Sequence, residues 1–128
     1  LGQGIFVFGS NLLGIHGRGA ALYARRHYGA KLGVGEGPTG RAYALPTKAT
    51  PSASMSLDEV AAAAERFVSY AQARPSETFL LTKVGCGLAG FRETDVARLF
   101  GNAPENVVLV DENVQPVCLA RDWGARAV

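Results

Sequence analysis

Apolar residues come in short runs separated by glycine-rich stretches. Ile5-Phe6-Val7-Phe8 runs into Gly9, the pattern of a buried strand. After a glycine-rich turn, Ala20, Ala21, Ala24 and Tyr28 recur at helical spacing over residues 19–28, and Gly29 offers a C-terminal stop. Alanines on that face predict close packing against a sheet. Residues 33–40 read as a glycine loop, Ala42-Tyr43-Ala44-Leu45-Pro46 as a short strand ended by proline, and residues 47–54 as polar and irregular.

The clearest helix follows. Ser56-Leu57-Asp58-Glu59 is a capping box, in which serine and glutamate satisfy each other's end-of-helix amides. Behind it Leu57, Val60, Ala61, Ala64, Phe67, Val68 and Ala71 form one apolar stripe that Arg74-Pro75 ends. Residues 78–84 read as a strand, 85–91 as a loop, 93–100 as a short helix and 107–110 as a last strand. Val117-Cys118-Leu119 fits either an edge strand or a draped tail.

The order β-α-β-α-β-α-β predicts one α/β domain over residues 1–128, with a mainly parallel sheet covered by helices on both faces. Ligands of such open sheets bind outside the carboxyl ends of the strands. The loops after Phe8, Pro46 and Val84 all leave such ends, so they are expected to share one rim.

Composition narrows the class. The chain has 128 residues, 48% apolar and 19% charged, enough for one domain with a core and too ordered in composition for a disordered tail. No apolar run suits a membrane span, and no secretory signal is visible. Leu1 to Gly4 are set aside from function as an expected expression remnant, and residues 111–128 as a tail or edge element. Cys86 and Cys118 are too far apart in sequence to read as a ligand pair or disulfide framework, so no metal is expected and a reduced, cytoplasmic setting is. A net charge of +2, with Arg25-Arg26-His27 as the basic cluster, allows a nucleic-acid partner without predicting one. The unusual figure is glycine, 16 of 128, about twice the average share.

The glycines cluster where chemistry is expected. Gly14-Ile15-His16-Gly17-Arg18-Gly19-Ala20-Ala21 leads from a strand into a helix, where bare backbone amides attract phosphate; that reading is preferred to a plain structural turn. Gly85-Cys86-Gly87-Leu88-Ala89-Gly90-Phe91 is a second such loop, and two loops on one rim suit a diphosphate. Gly35-Glu36-Gly37-Pro38-Thr39-Gly40 matches the dinucleotide glycine pattern but precedes a strand, so it is set aside. Phe91 either covers a sugar or anchors the core. Cys86 reads better as a small buried thiol than as a nucleophile. Lys48 at its strand end is a solvated lysine, a phosphate ligand or an attacking amine; Asn11 holds a ribose hydroxyl or caps its turn. His16 and His27 have no acidic partner nearby in sequence.

Three of these stretches resemble macrodomains. Residues 11–21, Asn11-Leu12-Leu13-Gly14-Ile15-His16-Gly17-Arg18-Gly19-Ala20-Ala21, look like their first ligand loop; Tyr43-Ala44-Leu45-Pro46-Thr47-Lys48 is similar to their strand ending in Thr-Lys. Residues 84–91 are similar to their Gly-Cys-Gly-Leu loop. The likeness is to the branch of DNA ADP-ribosyl glycohydrolase antitoxins and terminal ADP-ribose protein glycohydrolases, and to small phage-associated macro-like proteins. It implies a three-layer α/β/α fold that binds ADP-ribose and hydrolyses the ADP-ribosyl linkage on a modified nucleic acid or protein, with no cofactor. Lys48 would attack the ribose anomeric carbon and Asn11 would orient the ribose. Ser10, Gly17, Arg18, Gly19, Ala20, Thr47, Gly85, Cys86, Gly87, Leu88, Ala89, Gly90 and Phe91 would surround the ligand. Ala89 stands where the protein-directed enzymes have aspartate and the DNA-directed ones glycine. The family's adenine-reading aspartate has no counterpart before Ile5. The alternative is a sensor that binds ADP-ribose without turnover.

Overall fold

β1 (Ile5–Asn11) lies at the centre of the sheet. It pairs in parallel with β3 (Ala42–Thr50) on one side and β5 (Phe79–Leu81) on the other, and β5 pairs in parallel with β6 (Val107–Val110). Antiparallel strands extend this centre: β2 (Gly37–Thr39) and β4 (Ala53–Ser54) on β3, and β7 (Pro116–Leu119) on β6. The result is a mixed, largely parallel seven-stranded sheet in the order β2-β3-β1-β5-β6-β7, with β4 attached to β3. The structure, a computed structural model, describes residues 4–127. Leu1, Gly2, Gln3 and Val128 lie outside the described residues.

Alternation along the strands divides the core in two. Val7, Tyr43, Leu45, Phe79, Leu81, Val107 and Leu109 face one side, where they meet α2 (Leu57–Gln72), α3 (Glu93–Ala97) with the 3-10 turn Arg98–Phe100, and α4 (Trp123–Arg126). Phe6, Phe8, Ala42 and Ala44 face the other side and meet Ala21, Ala24 and Tyr28 from α1 (Gly19–His27) and the residue after it. Small side chains let α1 approach closely, and Tyr28 stacks on Phe6 with ring centres 4.7 Å apart. The two faces differ in how they fill space: alanine and stacked rings on one, interlocked Phe67, Phe79, Phe100 and Trp123 on the other.

α2 starts where its sequence says it should. Ser56 Oγ accepts from the Glu59 amide at 3.1 Å, and Glu59 returns a carboxylate oxygen to the Ser56 amide at 2.9 Å. Those bonds hold the Glu59 carboxyl below its ordinary range. The buried stripe is Val60, Ala63, Ala64, Phe67, Val68 and Ala71, with Ala63 inward in place of the expected Ala61.

Several expected boundaries change. β1 runs through Gly9 to Asn11, because its neighbour β3 continues far enough to pair with it. β3 in turn passes through Pro46 to Thr50: the missing amide is accommodated beside a register irregularity between Ser10 and Asn11, and a tight return makes β4 from residues expected to be irregular. Part of the expected 33–40 loop is the edge strand β2, where Pro38 is tolerated. The strand expected over 78–84 shortens to Phe79–Leu81: the Thr82 amide and hydroxyl both still reach the Val7 carbonyl, at 3.2 and 2.8 Å, but the Val84 amide turns back to the Thr82 carbonyl at 2.7 Å and takes the chain out of the sheet. The helix expected over 93–100 tightens to 3-10 geometry after Ala97. Gly4 belongs to the fold, for a Cβ there would sit 2.6 Å from Leu80. The tail takes the edge-strand course as β7 and then returns Trp123 to the core, 1% exposed. No helix among the described residues is long and apolar enough to cross a membrane.

Phe67 touches the rings of Tyr43, Phe79 and Phe100 and is fully buried. Phe67→Ala is expected to lower the unfolding free energy by about 3–5 kcal/mol, measured by chemical denaturation.

Candidate functional site

At the carboxyl end of β1 the chain must leave the sheet without covering it. Asn11, buried, clamps that exit: its Nδ2 donates to the Ile15 carbonyl at 2.9 Å and its Oδ1 accepts from the Ile15 amide at 3.2 Å. Ser10 donates its hydroxyl to the Gly35 carbonyl. Gly14 sits at φ +68°, and a Cβ there would come within 2.3 Å of the Gly33 carbonyl carbon. His16 is fully buried edge-on to Phe8, with Nε2 3.2 Å from the Val34 carbonyl and Nδ1 without a partner among the described residues. The 33–35 segment is therefore a buttress for the loop after β1.

So braced, residues 17–20 stay open. Arg18 is the N-cap of α1 but places no side-chain cap on it, and the first turn has no acidic residue. α2 has both, so α1 keeps an unneutralised dipole and free amides. Around the Cβ position of Gly17 there is nothing within 4 Å.

The second loop has the same character. Gly85, at φ +77°, turns the chain out of the sheet, and the amides of Phe91 and Gly90 close the loop on Gly85 and Gly87 carbonyls at 2.8 and 3.0 Å. The amides of Gly87, Leu88 and Ala89 donate to nothing among the described residues, and the Cβ position of Gly87 is empty to 4 Å. Leu88 leans across to α1, its Cδ1 3.9 Å from the Cβ position of Gly19. Ser54 of β4 donates to the Ala89 carbonyl at 2.8 Å, tying this loop to the β3 end.

Together these segments enclose one cleft of about 890 Å³. Ser10, Asn11, Gly17, Arg18, Gly19, Ala20, Thr47, Lys48, Gly85, Cys86, Gly87, Leu88 and Ala89 all line it. Gly90 and Phe91 do not, and Phe91 instead packs on the core. From β3 to β6 the cleft crosses three strand spacings, about 14 Å. A single phosphate group is too small to reach both ends.

Cations stand along the rim. Lys48 Nζ donates to the Pro51 carbonyl at 2.5 Å, within the turn between β3 and β4. Lys83 is held at 2.9 Å by Glu93, which also accepts from the indole N–H of Trp123 at 3.0 Å. That hydrogen bond and ion pair raise the Lys83 ammonium above its ordinary value and lower the Glu93 carboxyl. Cys86 is half-buried, and desolvation pushes its thiol up to about 11, which suits the inert thiol expected of it. No three His, Cys, Asp or Glu side chains gather to hold a metal ion among the described residues.

Sequence reasoning missed the other end of the cleft. Phe6 and Tyr23 line it from β1 and α1, Thr82 and Lys83 follow β5, and Asp111, Glu112, Val114 and Val117 come from the β6–β7 hairpin. The strand-end rule that marked three loops applies equally to β6 and would have marked Asp111; the aromatic contributions depend on how α1 lies against the sheet. Comparison with protein-family models, curated proteins and solved structures finds no match for this chain.

Two chemical consequences are measurable. Alkylation of Cys86 by iodoacetamide should be slow at pH 8 and rise towards pH 11; a rate at pH 8 equal to that of a free model thiol contradicts this burial. His16 is lowered from 6.5, chiefly by desolvation. The folded state thus prefers the neutral ring, so stability is full above pH 6.5 and falls as the pH drops below it. Denaturation midpoints between pH 7 and 5 should show this slope, and His16→Leu should flatten it.

Proposed function

We propose that this cleft binds ADP-ribose, or a nucleoside diphosphate sugar of that kind, and hydrolyses the ADP-ribosyl linkage on a modified nucleic acid or protein. The observation that carries the reading is the meeting of two loops of unpartnered backbone amides across one cleft at the carboxyl ends of β1 and β5, with Lys48 on its β3 side. Amide concavities and an uncapped helix N-terminus neutralise a diphosphate without a metal. The sequence likeness to macrodomains, and helices on both faces of the sheet, support a macrodomain-like three-layer fold.

In this reading Lys48 is the nucleophile and Asn11 orients the ribose through the amide hydrogen that Ile15 leaves unused. The free amine of Lys48 adds at the anomeric carbon as the bond from that carbon to the modified group breaks. The leaving group takes up the proton that Lys48 gives up. Water then hydrolyses the ribosyl–lysine adduct, releasing ADP-ribose and restoring the amine.

One contact favours a second reading. The Lys48 ammonium is engaged with the Pro51 carbonyl and must leave it to attack. A sensor that uses Lys48 as a fixed charge for the ligand needs no such movement.

Calorimetric titration with ADP-ribose, with AMP and ribose 5-phosphate as controls, should show saturable binding of ADP-ribose alone. Gly87→Val, at a position with open space around it, should weaken that binding by about tenfold or more while leaving the melting temperature unchanged. With ADP-ribosylated DNA and protein as substrates, Lys48→Ala should slow release by about 100-fold or more. Release at the wild-type rate removes the nucleophile role. Binding without product in the wild type selects the sensor.

A further inference from the structure

The turn between β6 and β7 holds the strained backbone of the molecule. Among the described residues, Val114 is the one non-glycine residue with positive φ, at +60°. For a β-branched side chain this is a costly conformation, since Cβ crowds the following carbonyl. The turn enforces it. Asp111 Oδ1 accepts from the amides of Asn113 and Gln115 at 2.8 and 2.9 Å, the Asp111 amide donates to the Gln115 carbonyl at 2.9 Å, and the Val114 amide donates to the Asp111 carbonyl at 2.9 Å. Glycine or asparagine fits such a position without strain. What valine supplies there is an apolar wall: its side chain lines the cleft and packs on the cluster that contains Phe6 and Ala21. Tyr23, partly exposed, lines the same end, its ring 5.4 Å from that of Phe6.

At this end two carboxylates, Asp111 and Glu112, stand beside Lys83, whose charge Glu93 already pairs at 2.9 Å, whereas Arg18 and Lys48 stand at the glycine-loop end. Asp111 and Glu112 line the cleft, and Asp111 Oδ2 and both Glu112 oxygens accept no hydrogen bond among the described residues. A carboxylate oxygen accepts from N–H groups and repels a carbonyl oxygen set against it. It also repels phosphate, so it orients a ligand whose phosphates lie on the loops.

We propose that the β6–β7 turn is the base-recognition element of the cleft, selecting a flat heteroaromatic base that carries an exocyclic amine. Val114 forms one wall for the ring, and Asp111 Oδ2 accepts from the amine. This rests on the reading of the glycine loops as the diphosphate seat, and it assigns the base to residues on the hairpin after β6.

The test is calorimetric titration of ADP-ribose against its hypoxanthine analogue, in which a carbonyl replaces the amine. Wild type should bind ADP-ribose about tenfold more tightly or better. Asp111→Asn keeps Oδ1 for the turn but presents an amide donor in place of Oδ2, so it should erase or reverse that preference. Val114→Gly removes the wall and relieves φ; it should weaken both nucleotides about fivefold or more without lowering the melting temperature. A wild-type ratio near one, or an unchanged ratio in Asp111→Asn with unchanged affinity in Val114→Gly, overturns the assignment. If Gly87→Val still weakens binding in that case, the diphosphate reading stands alone. Absence of binding by either nucleotide to wild type overturns both.

Discussion

The parallel pairing of β1 with both β3 and β5 is the constraint on which the rest depends. Because all three strands point the same way, their carboxyl ends fall on one rim, and Asn11, Lys48 and the 85–89 loop become neighbours despite lying up to 78 positions apart (89 − 11). A single reversed strand would carry one loop to the opposite edge. The parallel arrangement also demands crossover connections, which α1, α2 and α3 supply, and these bury the sheet on both faces.

Glycine serves two opposed purposes around that rim. Gly14 and Gly35 let one backbone press on another: a Cβ would meet Gly33 and Leu12 at 2.3 and 2.5 Å. Gly17 and Gly87 face open space. The first group builds a rigid floor, with Asn11, Ser10 and the buried His16 fastening it, and the second leaves amides bare above that floor. An open loop without the floor would close on itself and satisfy its own amides. The same economy governs helix ends: α2 is capped by its own side chains and α1 is not. On the far side, strain at Val114 closes the cleft with a side chain that an unstrained turn would not present.

The elements with strong local signals were legible in the chain. The capping box located the start of α2, Gly29 followed the end of α1, and the four-residue run 107–110 coincided with β6. Strand ends were less legible, since β3 reaches Thr50 only because β1 and β4 pair with it, and β5 stops at Leu81 because the Val84 amide turns back to the Thr82 carbonyl and draws the chain out of the sheet. Trp123 had no periodic context at all; its burial comes from the position of β7, which brings the last turn over Phe100 at 5.9 Å.

Local order alone therefore determined the alternation of strands and helices, the α/β class and the two glycine loops at strand ends, because each follows from a residue's own backbone preference and from periodicity within one element. Only the tertiary structure decided which glycines face empty space, where Asn11 and Lys48 spend their hydrogen bonds, and that the β6–β7 turn completes the cleft. Those outcomes depend on distances between segments far apart in the chain. Spacing along a sequence carries no such distance until the sheet is assembled.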